Sequence, residues 1–268
     1  MVTSGGVRRR VGEPAPGPRG PAPGRGAAAD RRRDKGVHYH PAVRDRWFSR
    51  SVARRLPRLL VGLVLFGLGI ALMAVAGLGL GPWEVFHQGI ARRTGLELGT
   101  VSILLGVPIL AMWIPLGEPA GIGTVLNIVL IGVATNVAMG VLPVPHDQIT
   151  QLAMMTLGVV TIGIASGMYL ATDLGAGPRD GLMTGVHRRF GWSIRRARTG
   201  LELTVLVAGF LMGGTVGLGT VVFALGIGPI VQWALGIFDP SGAVARRRAA
   251  SRGPVPVPLI DFLEEPGE

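Results

Sequence analysis

Hydrophobic residues gather in six blocks along the chain, at 59–76, 98–116, 122–142, 149–171, 199–213 and 218–238. A bilayer core of about 30 Å needs roughly 20 apolar residues in a helix, and these blocks meet or approach that length. Each predicts a membrane-spanning helix. The fifth is the weakest, being short and carrying Glu202 near its start. Two further segments, 82–93 and 178–189, read as short helices with mixed faces, too polar to cross.

The pattern repeats. LGLGPWEVF at 78–86 aligns with LGAGPRDGL at 174–182, and GIGTVLN at 121–127 aligns with GLGTVVF at 217–223, both at an offset of 96. The same offset pairs Gly67 with Gly163, Gly89 with Gly185, Arg92 and Arg93 with Arg188 and Arg189, and Gly95 with Gly191. Motifs some forty residues apart that keep one ungapped register mark an internal duplication. Each copy holds three spans, so the second enters the membrane from the opposite side. The fold expected is an all-α integral membrane protein of six helices in two inverted three-helix repeats (about 59–142 and 155–238). Each repeat carries a Gly-Pro break and a short amphipathic helix.

Charge distribution sets the class and the orientation. Of 268 residues, 48% are hydrophobic and the mean hydropathy is +0.45. Fourteen basic and four acidic residues fall in 1–55, nine and seven in 56–238, and four and five in 239–268. A middle section with sixteen charges in 183 residues cannot cover itself with polar surface, which excludes an ordinary soluble enzyme or a nucleic-acid-binding domain. The net charge of +11 lies almost wholly in the N-terminal arm, which is broken by Pro14, Pro16, Pro18, Pro21 and Pro23. That arm is expected to be a disordered cytoplasmic tail, as is 239–268. Binding of the arm to anionic lipid or nucleic acid is the lesser alternative. With the N-terminus inside, sixteen arginines flank the spans on the cytoplasmic side and only Arg92 and Arg93 face out. Both termini are then cytoplasmic, in the inner membrane, and the first span is an uncleaved anchor. The chain contains no cysteine, hence no thiolate site.

The candidate chemistry sits at the two breaks. Gly81-Pro82-Trp83-Glu84 and Gly177-Pro178-Arg179-Asp180 each place Pro at a first helical position, where its missing N–H costs nothing. The exposed N–H groups of such a start attract anions. Irregular backbone at membrane depth survives only where it is buried or lines a cavity, and matched breaks in two halves point to a binding site. The candidate substrate-binding set is therefore Gly81, Pro82, Glu84, Gly177, Pro178, Arg179 and Asp180. The two acids either serve their own helix starts, the commoner case, or reach a ligand. Arg179 either neutralises an anion or, more commonly at such a place, is one more inside-positive charge. Glu202 is expected to pair with Arg198 four residues earlier rather than bind a coupling ion. Asn127 and Asn136 are expected to bridge helices. Gly62, Gly67 and Ala71, matched by Gly158, Gly163 and Gly167, are expected to pack helices within the bundle. Pro108 and Pro115 predict kinks, and Trp83, Trp113 and Trp233 are expected as interfacial or packing aromatics. His87 and His187 do not occupy equivalent positions, and no catalytic set, metal site or cofactor is expected.

LGLGPWEVFHQG, TGLELGTVSI and LGAGPRDGLMTG, in this order, resemble the YczE/YyaS/YitT family of bacterial integral membrane proteins, on its YczE branch. The likeness covers roughly 57–238 and leaves both arms outside. It implies a multi-span inner-membrane protein and brings no catalytic residues. Its glycine-proline motifs match Gly79, Gly81, Pro82, Gly175, Gly177, Pro178 and Asp180; Glu84 stands where the pattern commonly has Asp and keeps the charge. The function expected is a small-solute transporter or permease. The alternative is a non-transporting scaffold or accessory subunit of a biosynthetic or export system. The partners expected are the lipid bilayer, a small solute, and a second copy or another membrane protein, with no nucleic acid.

Overall fold

The computed structural model describes residues 50–118, 120–242, 244 and 246. Among the described residues every regular element is a helix. In chain order these are α1 (Arg50–Ala76), α2 (Pro82–Thr94), α3 (Leu98–Ala111), α4 (Trp113–Leu116), α5 (Ile122–Val141), α6 (Gln148–Leu170), α7 (Pro178–Phe190), α8 (Ile194–Leu211) and α9 (Leu218–Phe238). Five segments are long and apolar enough to cross a membrane: Val52–Ala76, Leu98–Leu116, Ile122–Val141, Gln148–Leu170 and Leu218–Phe238. The remaining block, the fifth, is a helix of 18 residues, α8. It falls short of the same apolarity because Arg195, Arg196, Arg198 and Glu202 occupy its first half.

Local chemistry explains the boundaries. Pro82 and Pro178 open α2 and α7 at the first helical position, as the sequence predicts. Both helices stop at a left-handed glycine, Gly95 (φ 74°) and Gly191 (φ 69°). Ser193 accepts from the Arg196 N–H and so starts α8 five residues before the expected Thr199. The block at 98–116 is interrupted at Met112, four residues after Pro108, where the Met112 N–H returns to the Pro108 carbonyl. Helix α1 begins at Arg50, so its first turns occupy the end of the stretch expected to be a tail. Those turns gain acceptors: Arg55 donates to the Thr172 carbonyl (3.2 Å) and Arg58 to the Phe238 carbonyl at the end of α9 (3.1 Å). The expected disorder of 1–49 and most of 243–268 lies outside the described residues.

Helix α1 runs against α5 and α6, and α6 runs against α9. The contacts use the small residues that the sequence singles out. A Cβ at Gly67 would press on Ala134 and Ile131 of α5, one at Gly62 on the α6 backbone, and one at Gly163 or Gly167 on Ile230 or Ala234 of α9. Lipid gives no hydrophobic drive to helix association, so backbone proximity and dispersion hold these seams. The core between them is Leu59, Leu63, Ile70, Met73, Ile131, Val159, Ile162 and Ile227. Asn136 bridges α3 and α5, accepting from the Gly99 N–H (2.7 Å) and donating to Glu97 (2.6 Å) and Thr100 (3.0 Å).

The offset of 96 reappears in the hydrogen bonds. The Gly123 N–H donates to the Leu174 carbonyl (3.0 Å), and its counterpart Gly219 N–H donates to Leu78 (2.8 Å). Each break is thus tied to the start of the last helix of the other half. Those starts are built alike, with the Gly121 and Gly217 N–H groups donating to Thr124 and Thr220 Oγ1 at 3.3 Å. Gly79 (φ 115°) and Gly175 (φ 140°) take positive φ at the crossing point.

Candidate functional site

The first turns of α2 and α7 meet inside this frame. Their preceding glycines share one conformation, φ/ψ −63°/159° at Gly81 and −62°/156° at Gly177. The second and third helical positions are Trp83 and Glu84 in one copy, Arg179 and Asp180 in the other. Arg179 Nη2 donates to Glu84 Oε1 at 2.5 Å, and its guanidinium lies 5.3 Å from the centre of the Trp83 ring. Asp180 Oδ2 accepts from the Tyr169 hydroxyl at 3.0 Å. Glu84 and Trp83 are buried, yet Glu84 Oε2 and Trp83 Nε1 have no hydrogen-bond partner among the described residues. A buried polar atom without a partner costs about 1–3 kcal/mol.

A cavity of about 190 Å³ opens at this meeting point. Eighteen of its 24 lining residues form nine pairs separated by 96: 66/162, 82/178, 83/179, 84/180, 87/183, 102/198, 106/202, 127/223 and 131/227. The cavity therefore sits on the junction of the two copies, and the side chains on its two sides differ. Glu84 faces Asp180, Trp83 faces Arg179, His87 faces Met183, and Asn127 faces Phe223. The charges on its wall are three carboxylates, Glu84, Asp180 and Glu202, and two guanidinia, Arg179 and Arg198. Arg198 Nε donates to Glu202 Oε1 at 2.9 Å. Asp180 is the one lining carboxylate with no cation paired to it among the described residues.

Of the seven candidate residues, Pro82, Glu84, Pro178, Arg179 and Asp180 line the cavity. Gly81 and Gly177 do not, but they hold space beside it: a Cβ at 81 would lie 2.6 Å from Glu84 Oε2, and one at 177 would lie 3.4 Å from the Tyr169 hydroxyl. Arg179 is 26% exposed, and its guanidinium reaches the other copy. It turns inward because a buried carboxylate of the other copy offers it a bond. Both acids, expected first as helix-start residues, find side-chain partners from elsewhere in the fold. Glu202 pairs with Arg198 as expected, and the pair faces the cavity. Asn127, expected as a bridge, lines the cavity. Trp113 packs, donating from Nε1 to the Pro178 carbonyl (3.1 Å), whereas Trp233 is exposed. The sequence reading missed Tyr169; its signal is a hydroxyl in the last turn of an apolar helix, which when buried requires a partner.

This helical bundle, with five helices able to span a bilayer and a membrane protein among its relatives, is a membrane protein. Residues 53–235 match the family of unknown function DUF6198, and the chain belongs to that family. It is 37% identical over 200 residues to the uncharacterized membrane protein YczE of Bacillus subtilis, covering 73% of this chain and 93% of the relative. It is 41% identical over 179 residues to an uncharacterized protein of Haemophilus influenzae, covering 67% and 82%. YyaS of Bacillus subtilis, an uncharacterized protein, is 25% identical over 165 residues, covering 60% and 82%. No solved structure matches.

Proposed function

We propose that this protein is a small-solute transporter of the inner membrane, not an enzyme, with its site in the cavity between the two Gly-Pro helix starts. In this reading α8 is the sixth span, the two halves are inserted oppositely, and both termini are cytoplasmic. One observation carries it: a cavity with buried, unanswered hydrogen-bonding atoms lies where the first turns of two equivalent helices meet. A pure scaffold gains nothing from leaving such atoms open, because each costs stability. The reciprocal bonds from Gly123 and Gly219 to the opposite breaks support a two-fold relation between the halves, since they exchange under the same offset. The arginines at helix ends fit the orientation. Arg92 and Arg93 donate to the last carbonyls at the α8 terminus, Gly213, Met212 and Leu211. Arg55 and Arg58 do the same at the opposite ends of α6 and α9.

Two experiments test this. Tags at the exposed glycines Gly95 and Gly191 are expected on opposite sides of the membrane; the same side for both would end the inverted reading. In proteoliposomes charged with a panel of small metabolites, Asp180→Asn is expected to abolish flux of the transported solute with the melting temperature kept. Unchanged flux with Glu84 and Asp180 both replaced would count against transport. No flux for any solute, together with a co-purifying protein partner, would favour the scaffold reading.

A further inference from the structure

The wall of the cavity is nearly balanced in charge. Glu84 and Arg179 neutralise each other, as do Glu202 and Arg198, leaving the Asp180 carboxylate, among the described residues, with the Tyr169 hydroxyl and no cation. Against it stand the helix starts of α2 and α7, each equivalent to roughly half a positive charge. The site thus holds separated charges of both signs and little net charge. A solute with a net charge would leave that charge uncompensated beside the buried Trp83 and Glu84, which is costly.

The unanswered atoms have the same dual character. Trp83 Nε1 is a buried donor that needs an acceptor, and Glu84 Oε2 is a buried acceptor that needs a donor. Asp180 adds a second acceptor, and the aromatic rings of Phe66, Trp83, Tyr169 and Phe223 line the same space. With about 190 Å³ available, the site is smaller than the roughly 300–1,000 Å³ of pockets for drug-sized ligands. Taking the cavity as the solute site of the transport reading, we infer that its ligand is a small zwitterion, with a primary ammonium and a carboxylate on a short carbon skeleton. The ammonium binds between Asp180 and Glu84 Oε2. The carboxylate accepts from Trp83 Nε1 and faces the helix starts.

The test is equilibrium binding to the full-length protein in detergent, by calorimetry, with four probes. β-Alanine and glycine carry both groups; ethylamine lacks the carboxylate and propionate lacks the ammonium. β-Alanine or glycine is expected to bind about tenfold or more tightly than ethylamine and propionate. Asp180→Asn is expected to weaken the zwitterion about tenfold and leave propionate unchanged. Trp83→Phe keeps an aromatic ring but loses the Nε1 donor and part of the indole's volume, so it is expected to weaken the zwitterion and leave ethylamine unchanged. Asp147→Asn, at an exposed helix start, is expected to change none of them. Ethylamine or propionate binding as tightly as the zwitterions overturns the inference, as does no binding of either zwitterion by protein with an intact melting transition. Zwitterion binding without flux would end the transport reading and keep the ligand class. Flux of some other solute with no zwitterion binding would do the reverse.

Discussion

The two Gly-Pro helix starts have almost the same backbone and different chemistry. Both open with an extended glycine and Pro, run 13 residues and end at a left-handed glycine. A carbonyl in each break before them accepts a hydrogen bond from the other half. Yet the first copy presents Trp83 and Glu84, both buried, and the second presents Arg179 and Asp180, which sit in the partly open wall of the cavity. The glycine spacing and the crossing bonds that hold the frame recur at the offset of 96. The side chains that face the central space differ, and that difference lets Arg179 pair with Glu84. A symmetric site could not form that pair.

The comparison breaks first at the crossing glycines. Gly79 and Gly175 hold positive φ, and a Cβ at either would lie 2.7 Å from atoms of the opposite helix start. Valine at either position is expected to cost about 3 kcal/mol or more, as backbone strain plus overlap. The loss is read as folded protein surviving a heat challenge in detergent; tolerance at one position alone would mean the frame is not shared. Next comes the contrast between the acids. Glu84→Gln keeps an acceptor but leaves Arg179 without its counter-charge and is expected to cost about 2–3 kcal/mol, trimmed because Arg179 is 26% exposed. Asp180→Asn keeps an acceptor for Tyr169 and is expected to cost less than about 1 kcal/mol. Melting of the two variants side by side checks the order, and equal losses would make the two acids equivalent after all.

Asn136 and its offset partner Gln232 sharpen the contrast further. Asn136→Ala removes three bonds between α3 and α5, for about 1–3 kcal/mol. Gln232 is exposed on α9, and Gln232→Ala is expected to stay within about 0.5 kcal/mol. The smallest effect separates the starts of α1 and α6. Asp147 caps α6, accepting from the Thr150 N–H (2.9 Å) and hydroxyl (2.7 Å), which holds its carboxyl below the usual carboxylate range. Its offset partner Ser51 falls inside α1. A folded pKa below the unfolded one stabilises above the unfolded value and is lost as pH falls through the folded value. Melting temperature against pH is therefore expected to lose a small acid-side slope in Asp147→Asn.

The apolar blocks, the offset of 96, the two proline helix starts and the small-residue seams were all legible in the chain, because each depends on residues close in sequence or on one fixed spacing. The early starts of α1 and α8 were less so. Those ends are set by Arg55 and Arg58 finding carbonyls in remote helices and by Ser193 capping α8. The amino-acid sequence determined a helical membrane protein with two matched breaks. Only the tertiary structure decided that Arg179 meets Glu84, that Tyr169 meets Asp180, and that Trp83 and Glu84 line one cavity while each keeps a buried atom without a partner among the described residues. The physical reason is distance along the chain. The Arg179–Glu84 bond joins positions 95 residues apart, and its partners are chosen by how two packed halves present their side chains rather than by any local preference.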